Sequence, residues 1–178
     1  MMASVALDDA AVRRTVENEV ANLFRSEYRA LVRMASFLLG DVGASEEVVQ
    51  DAFVKLHLGW GRVREPEKAP AWLRSAVLNG ARSRLRHQQV RRRHLVSAPP
   101  PAPSAETGAM LDDDHRRMIV ALRGLPERQR EALVLKFYMN LSESETATAM
   151  GVSAGTVKTH VHRGLAALQS AFGPEEDR

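Results

Sequence analysis

The chain contains no cysteine, which excludes disulfide scaffolds, thiolate zinc sites and cysteine nucleophiles and is compatible with the reducing cytoplasm expected for it. Aromatic residues make up only 5% of the 178 positions, too few for a sandwich or barrel built on Tyr, Phe and Trp strands. No segment alternates apolar and polar residues with period two, so strands are not expected. No stretch approaches the roughly 18 consecutive apolar residues of a membrane span. The opening Met1 to Asp9 lacks the basic segment and long apolar core of a secretory leader. Phosphate-cradling glycine loops, nucleophile elbows and His-Glu-x-x-His patterns are missing. The six histidines are scattered, and His160 and His162, two apart on a helix, diverge by about 200° and cannot share a metal. Neither an enzyme nor a metal or cofactor site is expected.

The most informative shortage is of acid. No Asp or Glu occurs between Glu67 and Glu106, while Lys68, Arg74, Arg82, Arg84, Arg86, Arg91, Arg92 and Arg93 all fall there. A second acid-free interval, Glu145 to Glu175, holds Lys158, His160, His162 and Arg163. Net charge is only +3, but two basic intervals on helical patterns point to a polyanionic partner. Against these shortages, 44% hydrophobic and 26% charged residues describe a chain that folds.

Four of the eight prolines lie between Val96 and Gly108. Proline fixes φ and donates no backbone hydrogen bond, so this stretch reads as a semi-stiff tether, about 40 Å long if extended at ~3.1 Å per residue. The expected organisation is all-α: a helical domain over 1–95, a Pro-rich linker over 96–110, a second helical domain over 111–172 and a polar tail over 173–178. In the first domain, apolar spacing predicts one helix through Val16, Val20, Leu31, Ala35 and Leu38, stopped at Gly40. A second starts near Ser45 with Val48, Val49, Ala52, Phe53 and Leu56 inward and Glu46, Glu47, Gln50 and Asp51 outward. A third runs from Ala71 to about His94, with Trp72, Leu73, Ala76, Val77, Gly80, Ala81 and Leu85 as its stripe.

In the second domain, Asp112, Asp113 and Asp114 read as the start of a helix, where carboxylates complement the positive end of its dipole, rather than as a metal site. Pro126 opens a helix reaching Tyr138, with Ala132, Leu133, Leu135 and Phe137 as core candidates. Ser142 and Glu145 have the spacing of a capping box. Gly151 suits a left-handed turn, and Ser153 can cap a last helix whose stripe is Val157, Val161, Leu165, Leu168 and Phe172. The opposite arc carries Thr156, Thr159 and Arg163, with Lys158 and His162 on its shoulders. A short helix, a glycine turn and a longer helix with polar and basic groups outward follow the logic of a helix-turn-helix, whose outward face offers donors to base edges and phosphates. A plain helical hairpin would share the stripe but not the turn chemistry.

These residues resemble those of the sigma-70 family, in its short two-domain extracytoplasmic-function (ECF) group, over about residues 20–172. Leu125 to Ala132, continuing to Gly151–His160, is similar to sigma region 4. Ser45 to Phe53 resembles the region 2 helix that grips RNA polymerase. Trp72-Leu73 followed by Asn79 and Arg86 resembles the helix that meets the melted promoter. The resemblance implies that Glu47, Gln50 and Asp51 contact core RNA polymerase. It also implies that the loop 62–71 with Trp72 captures flipped minus-10 bases, that Asn79, Arg82 and Arg86 line the same helix, and that Arg91, Arg92 and Arg93 close on phosphates. Thr156, Lys158, Thr159, His162 and Arg163 would read the minus-35 element. Ser83 stands where the family often has Asp, and no aromatic occupies the loop before Trp72. The implied function is promoter-specific transcription initiation, with core polymerase and promoter DNA as partners and typically an anti-sigma protein masking these faces. A stand-alone helix-turn-helix regulator, binding duplex DNA without polymerase, is the competing reading; a helical protein adaptor is the next.

Overall fold

In the computed structural model, residues 2–94 and 113–172 are described, with side chains from 14 to 91 and from 113 to 170. All regular structure among them is helical. The proposed linker 96–110 and tail 173–178 lie outside the described residues.

Helix α1 (Met2–Leu39) ends where Gly40 takes a left-handed conformation, φ 71°, and returns its N–H to the carbonyl of Ser36 at 2.8 Å. Asp41 then caps α2 (Val42–Gly59): its Oδ1 accepts the Ala44 N–H at 2.7 Å. The helix therefore begins before the expected Ser45, because a carboxylate satisfies one of its free amides. Val48, Val49, Ala52, Phe53 and Leu56 are buried as their spacing demands, and Ser45 joins them. Two 3-10 turns, Trp60–Arg62 and Pro66–Lys68, lead into α3 (Ala69–His94). A Cβ on Gly80 would stand 2.7 Å from Val48, so the glycine sets how closely α3 crosses α2. Leu73, Val77, Leu78 and Ala81 form the buried stripe; Trp72, expected to belong to it, is instead 45% exposed.

The second half comprises α4 (Asp113–Arg123), α5 (Glu127–Leu133), α6 (Glu143–Met150) and α7 (Ala154–Phe172). Asp113 and Asp114 occupy the first turn of α4, and Asp113 pairs with Arg116 at 3.2 Å. Beyond α5 the chain widens into a π turn, Val134–Tyr138, closed by Met139 N–H on the Val134 carbonyl at 3.0 Å. The extra residue in that turn rotates the register. Phe137, a core candidate by simple periodicity, is 59% exposed, and Tyr138 turns inward. Helix α7 departs similarly from its expected stripe. Leu165 is exposed, and the inward position is Gly164, where a Cβ would meet Leu133 Cδ1 at 2.9 Å. The side chain of Phe172 lies outside the described residues.

The two halves pack on one another and share one apolar core. The ring of Phe37 on α1 sits 4.2 Å from that of His115 on α4 and 5.0 Å from that of Tyr138. Ser36 Oγ, which donates to the Arg33 carbonyl, lies 2.9 Å from His115 Nε2. Arg130 donates to the carbonyl of Leu38 at 2.6 Å, placing a cation at the negative end of α1. Burial of the Tyr138 hydroxyl raises its pKa above the usual phenol value. Nothing in the spacing of apolar residues announces this contact, since each half patterns as a closed unit.

Candidate nucleic-acid interface

The turn between α6 and α7 is fixed by local hydrogen bonds. Ser142 Oγ accepts the Glu145 N–H at 3.2 Å, and Glu145 Oε2 accepts the Ser142 N–H at 2.8 Å and its hydroxyl at 2.6 Å. Those bonds from Ser142 hold the Glu145 carboxyl below the usual carboxylate range. Thr146 is fully buried, with its hydroxyl donating to the Ser142 carbonyl at 2.8 Å. Gly151 at φ 68° reverses the chain, a conformation side chains resist, and Val152 N–H returns to the Ala147 carbonyl at 3.1 Å. Ser153 Oγ then accepts the Thr156 N–H at 3.2 Å and caps α7.

Five residues of α7 were expected on its outward face. Lys158, Thr159, His162 and Arg163 are exposed together there. Lys158 reaches Glu143 only at 3.7 Å, a loose pairing that leaves its ammonium available. Thr159 donates to the Gly155 carbonyl at 3.0 Å while staying exposed. Thr156 is half-buried and tied to Ser153, hydroxyl to hydroxyl at 2.8 Å, so its visible role is in the cap.

On α3, Trp72, Asn79 and Arg86 are exposed at spacings of seven residues, close to two helical turns, which keeps them on one face. Arg91 is exposed farther along, and the side chains of Arg92 and Arg93 lie outside the described residues. Trp72 walls a cavity of about 470 Å³ with Leu56, Val63 and Ala69, and Arg62, Arg64 and Lys68 stand around it. The loop lacks an aromatic of its own, and Trp72 supplies one from the helix. Arg82 is not free. Its Nε and Nη2 form a bidentate pair with Glu131 of α5 at 2.6 and 2.7 Å, and Nη1 donates to Asn79 at 3.1 Å.

Glu47, Gln50 and Asp51 are exposed on α2, with Glu47 paired to Arg84 of α3. Two further residues, which helical periodicity does not single out, share that face. Val54 and Leu58, 56% and 80% exposed, continue the Glu47–Asp51 stripe at steps of three and four. Apolar groups lying off the inward stripe of an otherwise regular helix were the available signal. Among the described residues, no cluster of His, Asp or Glu could hold a metal ion, and no helix is long and apolar enough to cross a membrane.

Comparison with known proteins bears on what these faces serve. Two family models match, Sigma-70 region 2 over residues 23–91 and Sigma-70, region 4 over residues 115–168. The RNA polymerase sigma-E factor of Streptomyces avermitilis is 31% identical over 154 residues, covering 85% of this chain and 83% of that protein. The ECF RNA polymerase sigma factor SigM of Mycobacterium tuberculosis is 30% identical, covering 85% and 76%. The fold is that of the sigma factor RpoE of Bartonella quintana, solved with the anti-sigma factor NepR, at TM-score 0.66 and 22% identity over 88% of this chain and 99% of that one. It is equally that of CnrH, solved with the cytosolic domain of CnrY, at TM-score 0.66 and 22% identity over 92% and 98%.

Proposed function

From the premise that this chain belongs to the sigma-70 family, as an ECF-type sigma factor that binds core RNA polymerase and directs promoter-specific initiation, we propose how its surfaces divide that work. The observation that carries the reading is the presence of both sigma regions, in order, on one chain of matching length. A stand-alone regulator is not favoured, because nothing in its work calls for the region 2 half.

Core polymerase is held by the α2 stripe of Glu47, Gln50 and Asp51, to which we add Val54 and Leu58. Carboxylates at the margin steer a basic partner, and the apolar pair supplies area that excludes water. Promoter duplex at the minus-35 element meets Lys158, Thr159, His162 and Arg163, with Thr156 holding the helix start. At the minus-10 element an unpaired base enters the cavity beside Trp72, where stacking offsets part of the few kcal/mol lost on unstacking. Asn79, Arg82, Arg86 and Arg91–Arg93 follow the melted strand. The division into domains 1–95 and 111–172, bridged by 96–110, suits elements roughly two helical turns apart, about 70 Å. Each half alone makes few phosphate contacts, and polymerase gathers both, so the second contact becomes effectively intramolecular. The reaction needs no covalent step from this chain, which acts as a cytoplasmic initiation factor rather than an enzyme. An anti-sigma protein is a fitting regulator, by likeness to the complex of RpoE with the anti-sigma factor NepR.

Run-off transcription with purified core polymerase on a random-promoter library tests this reading. Enrichment of one class of start sites is expected. Start sites unchanged by addition of the protein would overturn it.

A further inference from the structure

Arg82 stands on the basic side of α3, yet its fork is spent on Glu131, a residue of the other half that is 1% exposed. The same carboxylate accepts Arg128 Nη1 at 3.1 Å, and Arg82 Nη2 also donates to the carbonyl of Met150, the last residue of α6, at 3.3 Å. One guanidinium therefore grips both α5 and α6, the elements that support the helix-turn-helix. A guanidinium fork takes a carboxylate and a phosphate in the same bidentate geometry. Glu131 engages that fork through both carboxylate oxygens. The closure elsewhere is incompletely satisfied. Arg130 Nε is buried with no acceptor among the described residues, and burial lowers the pKa of that guanidinium.

We propose that Glu131 is an internal phosphate mimic that latches the free protein shut by holding Arg82, and that nucleic acid and Glu131 compete for the same fork. The closed chain is self-inhibited on its α3 side while its α7 face stays open. This rests on the assignment of Arg82 to the melted strand made above. If the open form is about one molecule in ten, apparent affinity for single-stranded DNA is suppressed about tenfold.

The absence of cysteine permits a clean test. Ser26→Cys and Ser170→Cys, both at exposed positions on opposite halves, carry a donor and acceptor dye on the full chain without polymerase. Glu131→Gln is expected to lengthen the dye separation and to raise affinity for a random-sequence single-stranded oligonucleotide about tenfold. Arg82→Gln should lengthen it equally while lowering affinity, and it keeps the test alive should Glu131→Gln fail to fold. The exchanged pair, Arg82→Glu with Glu131→Arg, should shorten the separation again relative to either single change. An unchanged separation in both single variants overturns the latch, as does a lengthened one with no gain in affinity for Glu131→Gln. Run-off transcription by the unaltered protein with saturating core polymerase is a separate readout. Its failure would sink the assigned function, whereas the dye distances judge only the latch.

Discussion

The outward face of α7 and the basic flank of α3 carry similar chemistry in different circumstances. Lys158, Thr159, His162 and Arg163 are exposed, and the pairing of Lys158 with Glu143 is long and weak. Arg82 is bound bidentately to a buried carboxylate, and Asn79 is hydrogen-bonded to it in turn. Both segments look alike as sequence: helical, acid-free and basic. What occupies the Arg82 fork is an acidic residue 49 positions away in the chain, Glu131. A basic helix face reports the kind of ligand that suits it; whether that face is vacant is decided by what the rest of the chain lays against it.

Perturbing the open face should have the larger effect. Arg163→Ala is expected to cut transcription from a cognate promoter about tenfold or more, in line with ~1–3 kcal/mol for a lost specific contact. Fluorescence titration should show core-polymerase affinity unchanged. An equal loss in both would remove α7 from promoter recognition and collapse the contrast. Asp51→Lys is expected to do the reverse. Association with core should weaken by about fivefold to tenfold through lost electrostatic complementarity, with duplex binding by the isolated chain unaltered. A Leu58→Ser change that weakened core binding alongside it would bring the exposed apolar pair into that interface.

Smaller effects sharpen the account of how α7 is presented. Ser142→Ala deletes the capping box and should lower stability by ~1 kcal/mol, read as a drop in the urea midpoint at constant slope. The mildest effect is that of acid. Because the Glu145 carboxyl is held below its ordinary value by Ser142, its contribution is complete above the unfolded-state carboxylate pKa and fades as pH falls through the lower folded one. Protection of the α6 amides, relative to their intrinsic exchange rates, should fall over that acidic interval, and the fall should vanish in Glu145→Gln.

Local chemistry was the most legible part of the chain. The stop at Gly40, the capping box at Ser142, the turn at Gly151 and the inward stripe of α2 follow from residue type and spacing within a few positions, where backbone sterics and capping act. The misplaced residues share one cause. Trp72, Phe137 and Leu165 were assigned inward because apolar groups at helical spacing usually face a core. Each is displaced by something nonlocal or by a break in periodicity: a cavity wall contributed by the 62–69 loop, a π turn, and a glycine seated against Leu133. Val54 and Leu58 show the converse: lying off the inward stripe, they add nothing to the helical periodicity, and only their apolar character on an outward face marks them.

By itself, then, the sequence determined the all-helical class, the ends and caps of most helices, the helix-turn-helix and the two basic faces, all properties set by neighbours three or four residues apart. Only the tertiary structure decided which of those faces is free. It packed Phe37 against His115 and Tyr138, brought Arg130 to the end of α1 and set Glu131 in the fork of Arg82. Such contacts join residues separated by tens of positions, and no local pattern encodes them, because a buried ion pair is a property of two surfaces and becomes visible only when both are in place.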